Sequence, residues 1–187
     1  MTSQIYAGVD EVGRGCLAGP VVSAAVILKK EIDCNILKDS KKLSERKRIL
    51  IADYILNHSL SLGIGVCSNY IVDDINIHNA SLLAMKRAIM NLSIKPSQVL
   101  IDGLFAPHVD VETSTIIKGD EKIPEISAAS IIAKVLRDNY MAYLDRIAFG
   151  YGFSKHKGYA TKEHVLALEL LGPSIFHRFS FKPVCEL

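Results

Sequence analysis

From Val21 to Leu28 the chain reads VVSAAVIL, an unbroken apolar run interrupted only by Ser23. A run of that length is predicted to be a strand covered on both faces, because a strand with one wet face would alternate polar and apolar residues. Such a strand requires helices on both sides of its sheet. Ile5, Ala7 and Val9 alternate with Tyr6 and Gly8 as a neighbouring strand would, and SLSLGIGVCS, VLID (Val99 to Asp102) and STII ahead of Lys118 read as further strands. Ser44 to about Asn57 reads as a helix with Ile49, Ala52, Ile55 and Leu56 on one side. A longer helix is predicted to begin around Asn76, carrying Leu82, Met85, Ile89 and Leu92 before Pro96 stops it. From Pro124, near a first helical position, Ile126, Ala129, Ala133, Leu136, Tyr140, Tyr143 and Ile147 recur at intervals of 3 and 4. A last helix runs from Thr161, its cap, to Leu171, closed by Gly172 and Pro173.

These elements mix without strict βαβ alternation, and no segment repeats itself. The expected fold is therefore α/β, a mixed sheet flanked by helices. One domain is expected over 1–187: a sheet and helix core over about 1–150, and a small helical C-terminal segment over about 151–187 set off by the loop from Gly150 to Gly158. A chain of 187 residues, 49% hydrophobic and 22% charged, has enough apolar surface to bury a core without staples. No apolar run reaches the roughly 18 residues that cross a bilayer, and the start MTSQIYAGVDEVG lacks a secretory layout, so no membrane association and a cytoplasmic location are expected. Cys16, Cys34, Cys67 and Cys185 are scattered without a C-x-x-C pair, and reduced thiols are expected.

Chemistry is concentrated in four acids: the tandem Asp10-Glu11, then Asp102 and Asp120, each where an apolar run gives way to glycine. In a regular strand Asp10 and Glu11 point to opposite faces, so both are expected to reach one site through an ending or turning of the strand, with Gly13 and Gly15 supplying the freedom. Strand ends are where open α/β sheets build their sites. Hard oxygen donors without Cys or a placed His favour Mg²⁺ or Mn²⁺ over zinc. A pair of such ions about 3.5–4 Å apart suits phosphodiester hydrolysis. The plainer reading, that each acid caps a helix or closes a turn, holds well for any single one and poorly for two acids on an apolar strand.

The net charge of +2 is too small for a protein that coats nucleic acid, but KDSKKLSERKR from Lys38 to Arg48 is a basic patch able to hold phosphates, or else a solvated helix start capped by Ser44. Gly13-Arg14-Gly15 can present backbone groups to a sugar or phosphate, and it is not a P-loop. Ser127, Ser130 and Lys134 can face a nucleic acid or serve close packing. Asp138, four residues after Lys134, reads as its ion-pair partner. His156, His164 and His177 read as hydrogen-bonded structural residues rather than catalytic bases.

The order of these pieces is specific. GVDEVGRGCLAGPVV (Gly8 to Val22), DSKKL from Asp39, IDG from Ile101, KGD ending at Asp120, SAASIIAKV from Ser127, HKGY from His156 and the tail HRFSF from His177 together resemble the bacterial ribonuclease HII family, type 2 ribonucleases H. The resemblance implies a ribonuclease H-like fold and endonucleolytic cleavage of RNA in RNA–DNA hybrids, including single ribonucleotides embedded in duplex DNA, leaving 5′-phosphomonoesters and serving ribonucleotide excision repair. It implies that Asp10, Glu11, Asp102 and Asp120 are the catalytic, metal-binding acids for Mn²⁺ or Mg²⁺. It further implies that Gly13, Arg14 and Gly15 contact the ribonucleotide 2′-hydroxyl through backbone groups. Tyr159, ahead of Tyr151, is the expected junction sensor, and Lys41 and Lys42 are expected phosphate clamps. The expected partners are RNA–DNA hybrid and ribonucleotide-containing duplex DNA, with no obligate protein partner and a monomeric state. A ribonuclease H-like nuclease with another substrate and a non-catalytic hybrid-binding module are the alternatives.

Overall fold

The computed structural model describes residues 4–37 and 44–187. Five strands form one sheet in the order β3-β2-β1-β4-β5, with β1 Tyr6–Val12, β2 Val21–Leu28, β3 Ser59–Cys67, β4 Gln98–Asp102 and β5 Glu112–Ile116. β1, β2 and β3 are antiparallel neighbours, whereas β4 runs parallel to β1 and β5 parallel to β4. The mixed sheet flanked by helices is thus as expected, and every residue of β2 is buried. Its side chains divide by parity. Val22, Ala24, Val26 and Leu28 pack with Ala52 and Ile55 of α1 (Glu45–His58) and with Ala128, Ala129, Ile131, Ile132 and Ala133 of α3 (Pro124–Ile147). Ala25 and Ile27 face the other way, joining Ala7, Val9, Val99 and Ile101 under Met85, Ala88 and Ile89 of α2 (Asn69–Met90). The physical reason is the pleat, which sends successive side chains to opposite layers.

Helix and sheet approach closely where side chains vanish. A Cβ built on Gly8 would stand 2.0 Å from the Glu125 carbonyl carbon, and one on Gly65 would stand 1.9 Å from the Ala84 carbonyl oxygen. α3 therefore begins directly over β1, and α2 lies directly on β3.

α3 runs over Pro124–Ile147 as expected, and α2 and α3 each add a feature that local periodicity does not show. α2 begins at Asn69, capped by Ser68, one stretch ahead of the expected helix; at Asn76, the expected start, the backbone breaks to φ 65°, and the Asn76 side chain accepts from the Asn79 N–H at 3.1 Å. Asn76 therefore starts a second helical stretch inside the element. The stripe on α3 is core only in its first half. Ile126, Ala129 and Ala133 are buried, but Leu136, Tyr140, Tyr143 and Ile147 are exposed, and Arg137, Met141 and Leu144 are buried instead. Up to Ala133 the helix packs on the sheet; beyond it the partner is Tyr151, Phe153 and Leu168, so the covered face rotates. The C-terminal helices are α4 Phe153–His156 and α5 Lys162–Leu171, the latter capped by Thr161 and ended at Gly172. All four cysteines are free. No helix among the described residues is long and apolar enough to cross a membrane.

Candidate active site

Asp10 and Glu11 lie inside β1, not beyond its end. Pairing with β2 continues regularly through Asp10–Ala24, Glu11–Ser23 and Val12–Val22. The expected turn at these residues is therefore absent: Asp10 shares the α3 face with Gly8, and Glu11 shares the α2 face with Ala7 and Val9. What brings them together is position, since they are among the last residues of a central strand and their carboxylates flank its tip. β4 runs beside β1 with Ile101 opposite Val9, which sets Asp102 next to Asp10.

The electrostatics records this gathering. Burial raises the Asp10 carboxyl to about 8, helped by the charges of Glu11 and Asp102, while hydrogen bonds from Ser130 and the Glu11 N–H act the other way. That N–H donates to Asp10 Oδ1 at 2.7 Å, and Asp10 is only 8% exposed. Burial also raises Glu11, against the pull of Arg14, whose Nη1 donates to Glu11 Oε1 at 3.1 Å. A carboxyl that holds its proton near neutrality for want of a counter-charge is a group that a cation would ionise.

Asp102 Oδ1 accepts the Gly119 N–H at 2.7 Å. Asp120 follows in a 3-10 turn, Gly119–Glu121, and is 4% exposed. It was expected at a strand end, but β5 stops at Ile116 and Lys118 takes a left-handed φ of 55° before the turn. Asp120 also borders a small recess with Leu37, Pro124 and Ser127. The structure thus brings Asp10, Glu11 and Asp102 together and sets Asp120 one residue beyond the hydrogen bond to Asp102. Among the described residues no group of three His, Cys, Asp or Glu side chains is arranged to hold a metal ion as it stands. The donor chemistry, carboxylate oxygens only, fits a hard divalent cation.

The loop after β1 is held by two buried arginines. Arg178 donates from Nη2 to the carbonyl of Gly13 at 2.7 Å, from Nη1 to that of Arg14 at 2.8 Å, and from Nη2 and Nε to that of Gly19 at 2.9 and 3.1 Å. Arg137 donates to the carbonyls of Pro20, Ala18 and Lys157. Gly13 has φ 95°, and a Cβ there would lie 2.3 Å from Arg137 Nε, so this position accepts only glycine. A Cβ on Gly15 meets nothing within 4 Å, leaving its backbone open. Sequence reading did not single out Arg137. Its signal is a charge at the 4-residue spacing between Ala133 and Met141, on the face α3 buries.

On the α3 side, Tyr159 lines a groove of about 300 Å³ with Glu11, Arg48, Ser130, Ile131 and Lys134. Tyr159 is 39% exposed, with Lys134 Nζ and the Arg137 guanidinium 5.7 and 5.9 Å from its ring centroid. Tyr159 pairs with Cys16 through a backbone bridge and a side-chain hydrogen bond, and burial raises its phenol. Tyr151 is buried and donates its hydroxyl to the Gly172 carbonyl, a packing role. Lys134 pairs with Asp138 at 2.8 Å, as its spacing implied. Ser127 is buried and donates to the Leu37 carbonyl. Lys41 and Lys42 lie outside the described residues.

Of the three C-terminal histidines, His164 and His177 are hydrogen-bonded to each other and His156 stacks on His164, with tautomers that follow from their partners. His177 Nδ1 accepts the Ser174 N–H, so its Nε2–H donates to His164 Nε2 at 3.0 Å, and His164 Nδ1–H in turn donates to the Tyr159 carbonyl at 2.9 Å. His156 accepts from the Gly158 N–H and donates to the Tyr151 carbonyl. Burial lowers His164 and His177 to about 4. Because the unfolded chain takes up these protons near the ordinary 6.5, they contribute stability that is present above that pH and lost as pH falls toward 4. Melting temperature is accordingly expected to drop between pH 7 and 4.5, and less steeply in His164→Asn.

A mixed sheet with clustered carboxylates at the tip of its central strands, beside a clamped glycine loop and a cation-flanked tyrosine, defines a nuclease of the ribonuclease H class. The ribonuclease HII family model matches residues 7–184, and the chain belongs to that family. It is 51% identical to the ribonuclease HII of Pelagibacter ubique, over 98% of this chain and 99% of that protein, and 53% identical to that of Shewanella pealeana, over 97% and 89%. Among solved structures it is similar to the ribonuclease HII of Archaeoglobus fulgidus, seen in a complex with PCNA, with TM-score 0.81, 27% identity and 95% of each chain covered. The ribonuclease H2 of Pyrococcus horikoshii shares the fold at TM-score 0.82 and 21% identity, over 98% of this chain and 96% of that one. The manganese complex of Bst-RNase HIII shares it at TM-score 0.75 and 20% identity, over 98% and 69%.

Proposed function

We propose that this protein cuts the RNA strand of RNA–DNA hybrids, and cuts duplex DNA at single embedded ribonucleotides, using Mn²⁺ or Mg²⁺ held by Asp10, Glu11, Asp102 and Asp120. The observation that carries the reading is Asp10, raised to about 8 beside Glu11 and Asp102: three acids crowded at the tip of β1 and β4 without a compensating charge on Asp10. Bound there, a pair of divalent ions would supply an activated water and charge stabilisation for the departing oxygen. The remaining work falls to the chain. Arg178 fixes the Gly13-Arg14-Gly15 backbone, and Arg137 the following Ala18 and Pro20, so that the loop's groups meet a 2′-hydroxyl in one geometry, which is what telling RNA from DNA at one position requires. Lys134 and Arg48 line the groove where a phosphate backbone would run, and Lys41 and Lys42 would extend that path. Tyr159 offers its ring to the sugar or base at the RNA–DNA junction. The chain acts as one unit over 1–187, as a monomer in the cytoplasm, serving ribonucleotide repair and leaving 5′-phosphomonoesters.

The test is a labelled duplex with one ribonucleotide, incubated with each metal in turn, the cut site being mapped beside a long hybrid. Cutting of the hybrid alone would reject the single-ribonucleotide reading. Tyr159→Ala, which removes the ring, is expected to lower cleavage of the single-ribonucleotide duplex by about tenfold while changing hybrid cleavage less than threefold. Equal losses on both substrates would remove the junction role.

A further inference from the structure

The loop between β4 and β5 carries an apolar pair beside the acids. Leu104 is 66% exposed and Phe105 56%, directly after Asp102 and Gly103, the latter at φ 98°. The loop does not lack somewhere to bury such groups, because the following Ala106, Val109 and Val111 pack into the core under α2. Phe105 is nevertheless held outward, edge-on to His78 with ring centroids 4.8 Å apart. His78 itself is placed by the break in α2, two residues after Asn76. Together with Glu11, Arg14, Asp102 and Leu104 these rings border a second recess, which opens on the α2 face of β1. Glu11 borders both this recess and the Tyr159 groove, so the two lie on either side of its carboxylate.

We propose that this recess is a nucleotide subsite: the Phe105 ring, backed by His78 and flanked by Leu104, packs against the sugar and base of a nucleotide flanking the scissile phosphate, on the side away from Tyr159. Exposed aromatic and aliphatic groups at a loop tip wedge against nucleic-acid bases and sugars at little entropic loss. Arg14, 47% exposed at its side chain, supplies a cation for the adjoining phosphate. An apolar tip beside carboxylates serves no obvious purpose in the free protein. Against a duplex it completes a grip in which Tyr159 and Phe105 hold the strand on opposite sides of the cleavage point. The inference rests on the functional reading above.

The chain contains no tryptophan, so Phe105→Trp creates a sole indole reporter. In an Asp10→Asn background, which keeps the duplex intact, its emission is expected to be quenched when a single-ribonucleotide duplex binds. Phe105→Ala in the same background is expected to weaken binding by about tenfold, and Phe105→Tyr to restore it. Unquenched emission together with an unchanged affinity in Phe105→Ala overturns the subsite. The Asp10→Asn protein with Phe105 intact is titrated in parallel; failure of that protein and of the unsubstituted chain to bind the duplex at all would instead reject the functional reading, and the subsite with it.

Discussion

Asp10→Asn is expected to lower cleavage on the order of a thousandfold and, at the same time, to raise the melting temperature of the metal-free protein at pH 7. The two effects share one cause. Burial and the charges of Glu11 and Asp102 hold the Asp10 carboxyl at about 8, against an ordinary value of 3.8. The folded state therefore keeps a proton that the unfolded chain releases, and stability declines as pH rises from about 4 to about 8. Asparagine has the shape of the protonated acid, retains an acceptor for the Glu11 N–H, and carries no charge to repel its neighbours. A gain of about 1–3 kcal/mol is expected at pH 7, which amounts to several degrees in a protein of this size, and it should vanish near pH 4. Calorimetry in chelator at both pH values checks it. Removal of the Asp10 contribution should also steepen the acid loss due to His164 and His177, whose sign is opposite. Destabilisation at pH 7 would mean that Asp10 is ionised and satisfied in the free protein, and would undercut the idea that it awaits a cation.

Arg178 is expected to be the most damaging single substitution outside the acids. Its guanidinium is fully buried, and the four hydrogen bonds it makes to backbone carbonyls end on Gly13, Arg14 and Gly19. Burial lowers its own proton affinity to about 10, so it remains charged at neutral pH. Arg178→Gln leaves several of these carbonyls in a dry interior with too few donors, at roughly 1–3 kcal/mol for each one left unmet. Stability is expected to fall by about 3–5 kcal/mol. Lysine should rescue little, because a point charge cannot span three carbonyls arranged around a planar fork. At temperatures where the variants stay folded, cleavage should fall by about a hundredfold, with KM rising, because the loop that meets the ribose is no longer held. Near-normal activity in a folded Arg178→Gln would show that the loop holds its shape without the clamp.

Several features were legible without coordinates because they depend on local periodicity. The apolar run of β2 demanded cover on both faces, and the structure covers both. Ser44 and Thr161 cap the helices that their positions implied, and the Lys134–Asp138 pair follows from helical spacing alone. The helix α3 was legible from Pro124 onward, but a periodic stripe could not report that the helix changes partner past Ala133.

The candidate acids illustrate the division. Their residue types and the glycines beside them are written in the chain, and so is the resemblance that ranks them. What the chain does not contain is the arrangement that gathers them. Asp10 and Glu11 lie on opposite faces of a strand that does not turn, and Asp102, some ninety residues later, adjoins them only because β4 pairs parallel to β1. The burial that raises Asp10, the Arg178 guanidinium that holds the Gly13-Arg14-Gly15 loop and the histidine chain that ends on the Tyr159 carbonyl were equally out of reach. Helix caps and apolar periods are set by neighbours in the chain, so one dimension is enough to read them. Desolvation, charge repulsion and hydrogen bonds to distant carbonyls depend on distances through space, and only the folded packing determines those.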